Sequence, residues 1–196
     1  MKNLIYIFIA LFILGSSAYA ATYYVATTGN DSYTTTQAQN SGTPWKTIGK
    51  AEANAVAGDI VKVSAGTYTE NITFDGSGSS GSKITFNVNG GGSPVIVGNV
   101  NITGTHITLD GFTVSPVSGA GILLNGQYIT VQNCTVTDMG ACAGEQTIAM
   151  GFDGAYNTVD GCTIKDLNDI DAFHVFGHDH VIRNTYATHE HDYYQK

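Results

Sequence analysis

The chain has 196 residues, a formal net charge of −8, 24 glycines and only 12% charged residues. An acidic surface argues against nucleic acid or anionic lipid as a partner, because both are polyanions. Abundant glycine with few charges suits short strands and tight corners better than a helical bundle.

Lys2, the apolar run Leu4 to Leu14 and the ending Ser17-Ala18-Tyr19-Ala20 predict a secretory signal peptide over residues 1–20. The apolar run is shorter than the roughly 20 residues that a membrane span needs. The expected location is therefore secreted, periplasmic or cell-surface, with no membrane segment after cleavage. Residues 21–57 predict a strand at Thr22 to Val25, a polar loop and a capping helix. Thr43-Pro44 reads as the helix start, with Thr as N-cap and Pro at the first helical position. Ile48, Ala51, Ala55 and Val56 then fall near one face, suited to covering the apolar end of a stack.

Residues 58–196 carry a repeat. Gly58, Gly81, Gly104, Gly126, Gly154 and Gly177 recur at intervals of 22 or 23 residues, with one interval of 28. Five residues after each stands an apolar anchor: Val63, Phe86, Leu109, Val131, Val159 and Ile182. A fixed period of this size signals a solenoid. Strand-like stretches follow each glycine and each anchor, and a third precedes the next glycine, as at Val100 to Thr103, Ile148 to Phe152 and Ala172 to Phe176. Three strands per coil predict an all-β, parallel β-helix of about six coils. The column Gly111, Asn133, Gly161 and Asn184 predicts a bend in left-handed backbone geometry. Cys134 and Cys162 hold equivalent places in successive coils and read as buried small residues; with Cys142 the count is odd, and a disulfide is not required.

The long interval locates an insertion near Asp138 to Gln146, and insertions in solenoids emerge as loops on one face. The overlay puts Asp138, Asp166 and His189 in one file. Neighbouring coils sit about 4.8 Å apart, so two carboxylates there repel unless a proton or cation lies between them. With Glu145 and Asp169 close in sequence, Asp138 and Asp166 make a candidate Ca²⁺ site of hard oxygen ligands. The alternative is that they are solvated corner residues. His174 is expected outward on a third strand, and His178 and His180 surround the next corner. These histidines read as acid–base or substrate-binding groups, or as solvated ones. Lys165 and Arg183 fall on outward positions, where pairing with Asp166 or Asp138 and with Asp160 is the competing reading.

The opening residues Tyr23-Tyr24-Val25, Gly29-Asn30-Asp31-Ser32, Pro44-Trp45-Lys46-Thr47-Ile48, Gly58-Asp59 and Gly66-Thr67-Tyr68 resemble the N-terminal cap of exported right-handed parallel β-helix proteins of the pectate-lyase-like superfamily. The likeness covers roughly residues 22–90, is fairly specific for the fold and carries no catalytic residue. It implies a right-handed helix, and its members include lyases, glycosidases, epimerases and binding proteins, so fold alone does not give function. Asp171 to Asn184 is similar to a coil of the lyase-like members. The tail His189 to Gln195 resembles their His-x-Asp-x-x-Gln pattern, in which Asp192 and Gln195 keep the spacing but Glu190 stands where His is expected. The resemblance implies an acidic polysaccharide as partner, β-elimination at a uronic acid, and Lys165 or Arg183 as base. A glycoside hydrolase or a non-catalytic glycan-binding solenoid remain the alternatives. The stack reaches Lys196 without a closing cap, which suggests a piece of a longer chain.

Overall fold

The computed structural model describes residues 20–138, 148–167 and 171–188. The leader expected at residues 1–20 falls, but for Ala20, outside them. The described part is a right-handed parallel β-helix whose coils present three sheets.

Strand β1 (Thr22–Val25) pairs with the start of β2 (Ile60–Tyr68), which bends at a bulge between Ser64 and Gly66 and so serves two faces. Strand β3 (Ile72–Phe74) completes that coil. In the next coil β4 (Ile84–Val97) again spans two faces, and β5 (Val100–Ile102) forms the third. The following coils use separate strands: β6 (Ile107–Asp110), β7 (Thr113–Ser115) and β8 (Ile122–Leu124); β9 (Thr130–Gln132), β10 (Thr135–Val136) and β11 (Ile148–Phe152); β12 (Thr158–Asp160), β13 (Thr163–Ile164) and β14 (Asp171–Val175); then β15 (Val181–Arg183) and β16 (Tyr186–Ala187). The first sheet runs β1–β2–β4–β6–β9–β12–β15, the second β2–β4–β7–β10–β13–β16, and the third β3–β5–β8–β11–β14.

In-register parallel pairing stacks like on like, and this builds the core. One inward column is Val61, Phe86, Leu109, Val131 and Val159. On the third sheet Phe74, Ile102, Leu124 and Phe152 do the same. All of these are essentially inaccessible to solvent. Burying each such side chain contributes about 1.5–3 kcal/mol. Cys134 and Cys162 are buried free thiols in the same kind of column, and burial pushes the Cys134 thiol up. The bend column has the expected left-handed backbone, with φ of 86° at Gly111, 52° at Asn133, 64° at Gly161 and 51° at Asn184.

The glycine column differs from the sequence reading at its start. A Cβ on Gly104 would meet the carbonyl oxygen of Gly76, one on Gly126 that of Gly104, one on Gly154 that of Gly126, and one on Gly177 that of Gly154. Backbone therefore packs on backbone at this corner, and no side chain fits between. Gly81 is not in the column. The isolated bridge Ser77–Thr105 sets the register, and residues 78–82 form an excursion closed by reciprocal bonds between Ser79 and Ser82. Gly58 is also off it, and the residue facing Phe86 is Val61 rather than Val63, which faces Val88.

The cap helix also begins later than Thr43-Pro44. Trp45 bridges to Val25, donates its backbone N–H to Tyr24 and lies fully buried against Tyr23, so this stretch is extended. Helix α1 (Thr35–Ala38), with a capping box of Thr34 and Gln37, occupies part of the stretch that the sequence predicts as a polar loop. Helix α2 (Ile48–Glu52) starts after Thr47, whose hydroxyl accepts from Lys50. Asp31 accepts from the backbone of Lys46 and Thr47, and Glu70 from that of Ile48 and Gly49. Ile48 and Ala51 are buried, whereas Val56 is 54% exposed. Asp59, itself buried, accepts from Ala21 and Val56 and ties the first strand to the first coil.

Candidate functional site

Outward positions of the third sheet form the column Asn101, Leu123, Gly151 and His174. Gly151 leaves a dent between the two larger neighbours. The result is an open cavity of about 380 Å³ whose walls include Leu123, Phe152, Asp153, His174 and Phe176. The His174 ring lies half-buried against Phe176, with ring centres 4.3 Å apart. A half-buried imidazole in a cleft of this size can take up or deliver a proton to a bound ligand.

The other residues expected at a site are distributed as follows. Asp138 and Asp166 hold matching left-handed positions, with φ of 51° and 53°, two residues beyond the paired Val136 and Ile164. One Asp166 carboxylate oxygen accepts from the Thr137 hydroxyl at 2.8 Å. Among the described residues there is no group of three or more His, Cys, Asp or Glu arranged to hold a metal ion. Glu145 and Asp169 lie outside the described residues. Asp138 and Asp166 alone supply fewer than the roughly six to eight oxygens of a calcium shell. Lys165 is exposed just beyond β13.

Arg183 is on a different sheet from His174. Its Nε and Nη2 donate to Asp160 at 2.9 and 2.8 Å, and Asn184 donates to the other Asp160 oxygen. The Asn184 amide first, then Arg183, hold the Asp160 carboxyl below its ordinary range. A similar arrangement stands two coils earlier, where Gln132 and Asn133 donate to Asp110. The geometry therefore makes Arg183 part of an outer ladder. Near the next corner His178 lies 2.8 Å from the Asp179 carboxylate and is exposed. His180 Nε2 is 2.8 Å from the Phe176 carbonyl, and its ring packs on Phe152. Asp192 and Gln195 lie outside the described residues, as does His189. Thus His174 lines the cavity, His180 touches two of its wall residues without lining it, and Arg183 and His178 are placed elsewhere.

Sequence reasoning missed Gly151. Its signal was a glycine at an outward strand position, where close approach or a gap is the usual reason for one. It also missed a second feature, an aromatic column at His106, Tyr128 and Tyr156. These rings stack with centres 4.7 and 4.9 Å apart.

The model of a family described as "Right handed beta helix region" matches residues 98–193. No curated protein matches the sequence. Among solved structures, a rhamnogalacturonan lyase is 18% identical over 86% of this chain and 51% of its own, with a TM-score of 0.64. A pectate lyase is 19% identical over 84% and 47%, with a TM-score of 0.66. A lacto-N-biosidase from Eubacterium ramulus is 11% identical over 85% and 41%, with a TM-score of 0.62. The chain spans about half the length of the two lyases. At such identities the likeness is one of fold. Together with the three-sheet coils and the matched region, it shows that the chain folds as a right-handed parallel β-helix.

Proposed function

We propose that the chain is an exported carbohydrate-active β-helix protein that cleaves an acidic, uronic-acid polysaccharide by β-elimination. The observation that carries this reading is the third-sheet cavity with His174 on its wall and Gly151 between His174 and Leu123. The lyases among the solved structures of the same fold support it. In such a reaction a base takes the C5 proton, its electron pair forms the C4–C5 double bond, and the C4–oxygen bond breaks, with a proton going to the leaving oxygen. Histidine suits both proton steps near neutral pH. Lys165 is the second candidate base, and Asp153 is the carboxylate in the cavity lining. A hydrolase on the same scaffold would need a second carboxylate about 5–10 Å from the first, and Asp153 is the sole one lining the cavity among the described residues.

The product of elimination is an unsaturated uronide that absorbs in the ultraviolet. Incubation with pectate, rhamnogalacturonan or alginate is expected to give a rise in that absorbance, and His174→Ala to lower the rate by a hundredfold or so while the melting temperature holds. Repeating the assay across a calcium titration tests whether Asp138, Asp166, Glu145 and Asp169 hold a cation. New reducing ends without the absorbance would establish hydrolysis instead, and binding with neither would leave a glycan-binding solenoid.

A further inference from the structure

A second surface lies on the first sheet, away from His174. The residues in register just before its strands are Lys83, His106, Tyr128, Tyr156 and Asp179. The column of outward threonines Thr85, Thr108, Thr130 and Thr158 runs beside it. Between them an open trough of about 420 Å³ is lined by Lys83, the three rings, Thr130 and Thr158. Lys83 lies along it, and its ammonium donates to the Thr130 hydroxyl, 47 residues further on, at 3.4 Å.

Backbone preference does not account for these rings. His106, Tyr128 and Tyr156 have φ of 54°, 55° and 57°. The same backbone region in the bend column is filled by glycine and asparagine, as sterics favour, and bulky residues are uncommon there. Stacking accounts for aromatic rings, but phenylalanine would stack as well as tyrosine. The ring faces are covered by one another, since Tyr128 and Tyr156 are inclined by only 5°. What the trough offers a ligand is therefore ring edges, hydroxyls and one ammonium. Both tyrosines are 43% exposed. The Nδ1 of His106 is buried and has no hydrogen-bond partner among the described residues. The trough lining holds a cation and no carboxylate, on a chain whose net charge is −8. Beyond Tyr156 the column reaches Asp179, whose carboxylate is occupied by His178.

We propose that this trough binds an anionic oligosaccharide lying along the helix axis. One carboxylate sits on Lys83, and sugar hydroxyls bond to Tyr128, Tyr156 and the threonines. Coils repeat every 4.8 Å or so, close to the advance of one pyranose unit along a chain, so successive sugars meet successive coils. The ligand class rests on the reading of an acidic glycan as substrate, but the surface is separate from the His174 cavity.

The test uses the full chain, a short oligogalacturonate, an oligoalginate and the methyl-esterified oligogalacturonate, with affinity measured by calorimetry. Lys83→Gln is expected to weaken binding of the acidic ligand roughly tenfold or more, and Tyr128→Phe or Tyr156→Phe several-fold. Lys83→Arg should restore most of the affinity. The esterified ligand should bind the unaltered chain no better than the acidic one binds Lys83→Gln. Equal affinity of Lys83→Gln and the unaltered chain, at unchanged melting temperature, overturns the proposal. So does failure of the unaltered chain to bind either acidic ligand. Elimination is followed separately by ultraviolet absorbance. Lys83-dependent binding without elimination would sink the lyase reading and leave the trough, whereas elimination with Lys83-independent binding would do the reverse.

Discussion

The first and third sheets share one coil period but use their outward columns in opposite ways. On the first sheet chemistry repeats: threonine follows threonine from Thr85 to Thr158, and Asn87, Asp110, Gln132, Asp160 and Arg183 form a polar file in which Gln132 bonds to Asp110 and Arg183 to Asp160 across coils. On the third sheet the column Asn101, Leu123, Gly151, His174 never repeats. Repetition lets one coil satisfy another along the polar file, and along the threonine column it offers the same group at each coil. A break in repetition, here the loss of a side chain at Gly151 between two larger ones, opens space for a ligand. The same contrast separates two glycines three residues apart: Gly154 lies where backbone packs on backbone, and Gly151 where side chains flank a cavity.

The largest expected effect follows from that contrast. Gly154→Ala would drive a methyl group into the Gly126 carbonyl, and backbone on both sides cannot yield. A loss of about 3 kcal/mol or more is expected in denaturant unfolding. Gly151→Ala is expected to cost only about 1 kcal/mol. Its Cβ would meet the tips of Leu123 and Ile148, at 2.6 and 2.8 Å, and these side chains can turn away. The same methyl occupies the cavity, so the glycan cleavage proposed for it should fall although the fold persists. A variant that unfolds as readily as Gly154→Ala would show that Gly151 is a packing glycine and not a site-forming one.

A smaller effect is expected on the first sheet. The folded chain holds the Asp160 carboxyl below its ordinary value, so the ionised group stabilises the coil above the carboxylate range. That contribution is lost as pH falls through the depressed value. Melting temperatures of the unaltered chain and of Asp160→Asn should therefore differ at neutral pH and converge in acid, below about pH 4. A difference that persists in acid would show that Asp160 acts through something other than its charge.

The inward columns and the bend were legible in the sequence because burial leaves a column few choices. Leu109, Val131 and Val159 could be aligned by eye, as could Gly111, Asn133 and Gly161. The first coils were not, since the excursion at residues 78–82 preserves the spacing from Gly81 to Gly104 while removing Gly81 from the corner. Counting sees intervals and not register. His174 was placed outward on its strand from alternation alone. The cavity beside it was not legible, because it depends on the side chain that Gly151 lacks. Nor were the stacked rings. The glycine spacing puts His106, Tyr128 and Tyr156 in strands, whereas each takes a left-handed turn before its strand begins. An overlay extended to the second residue after each glycine would have put them in file.

The tether at the N-terminal end bears on the order in which the chain folds. Helix α2 spans five residues, too few to persist alone in water. Its first amides, at Ile48 and Gly49, are held by Glu70, which the chain reaches only after β2 has been laid down. The lid is thus finished from below. It cannot close before the first coil has turned, and the amides of Ile48 and Gly49 report the completion of that coil rather than the fraying of a helix.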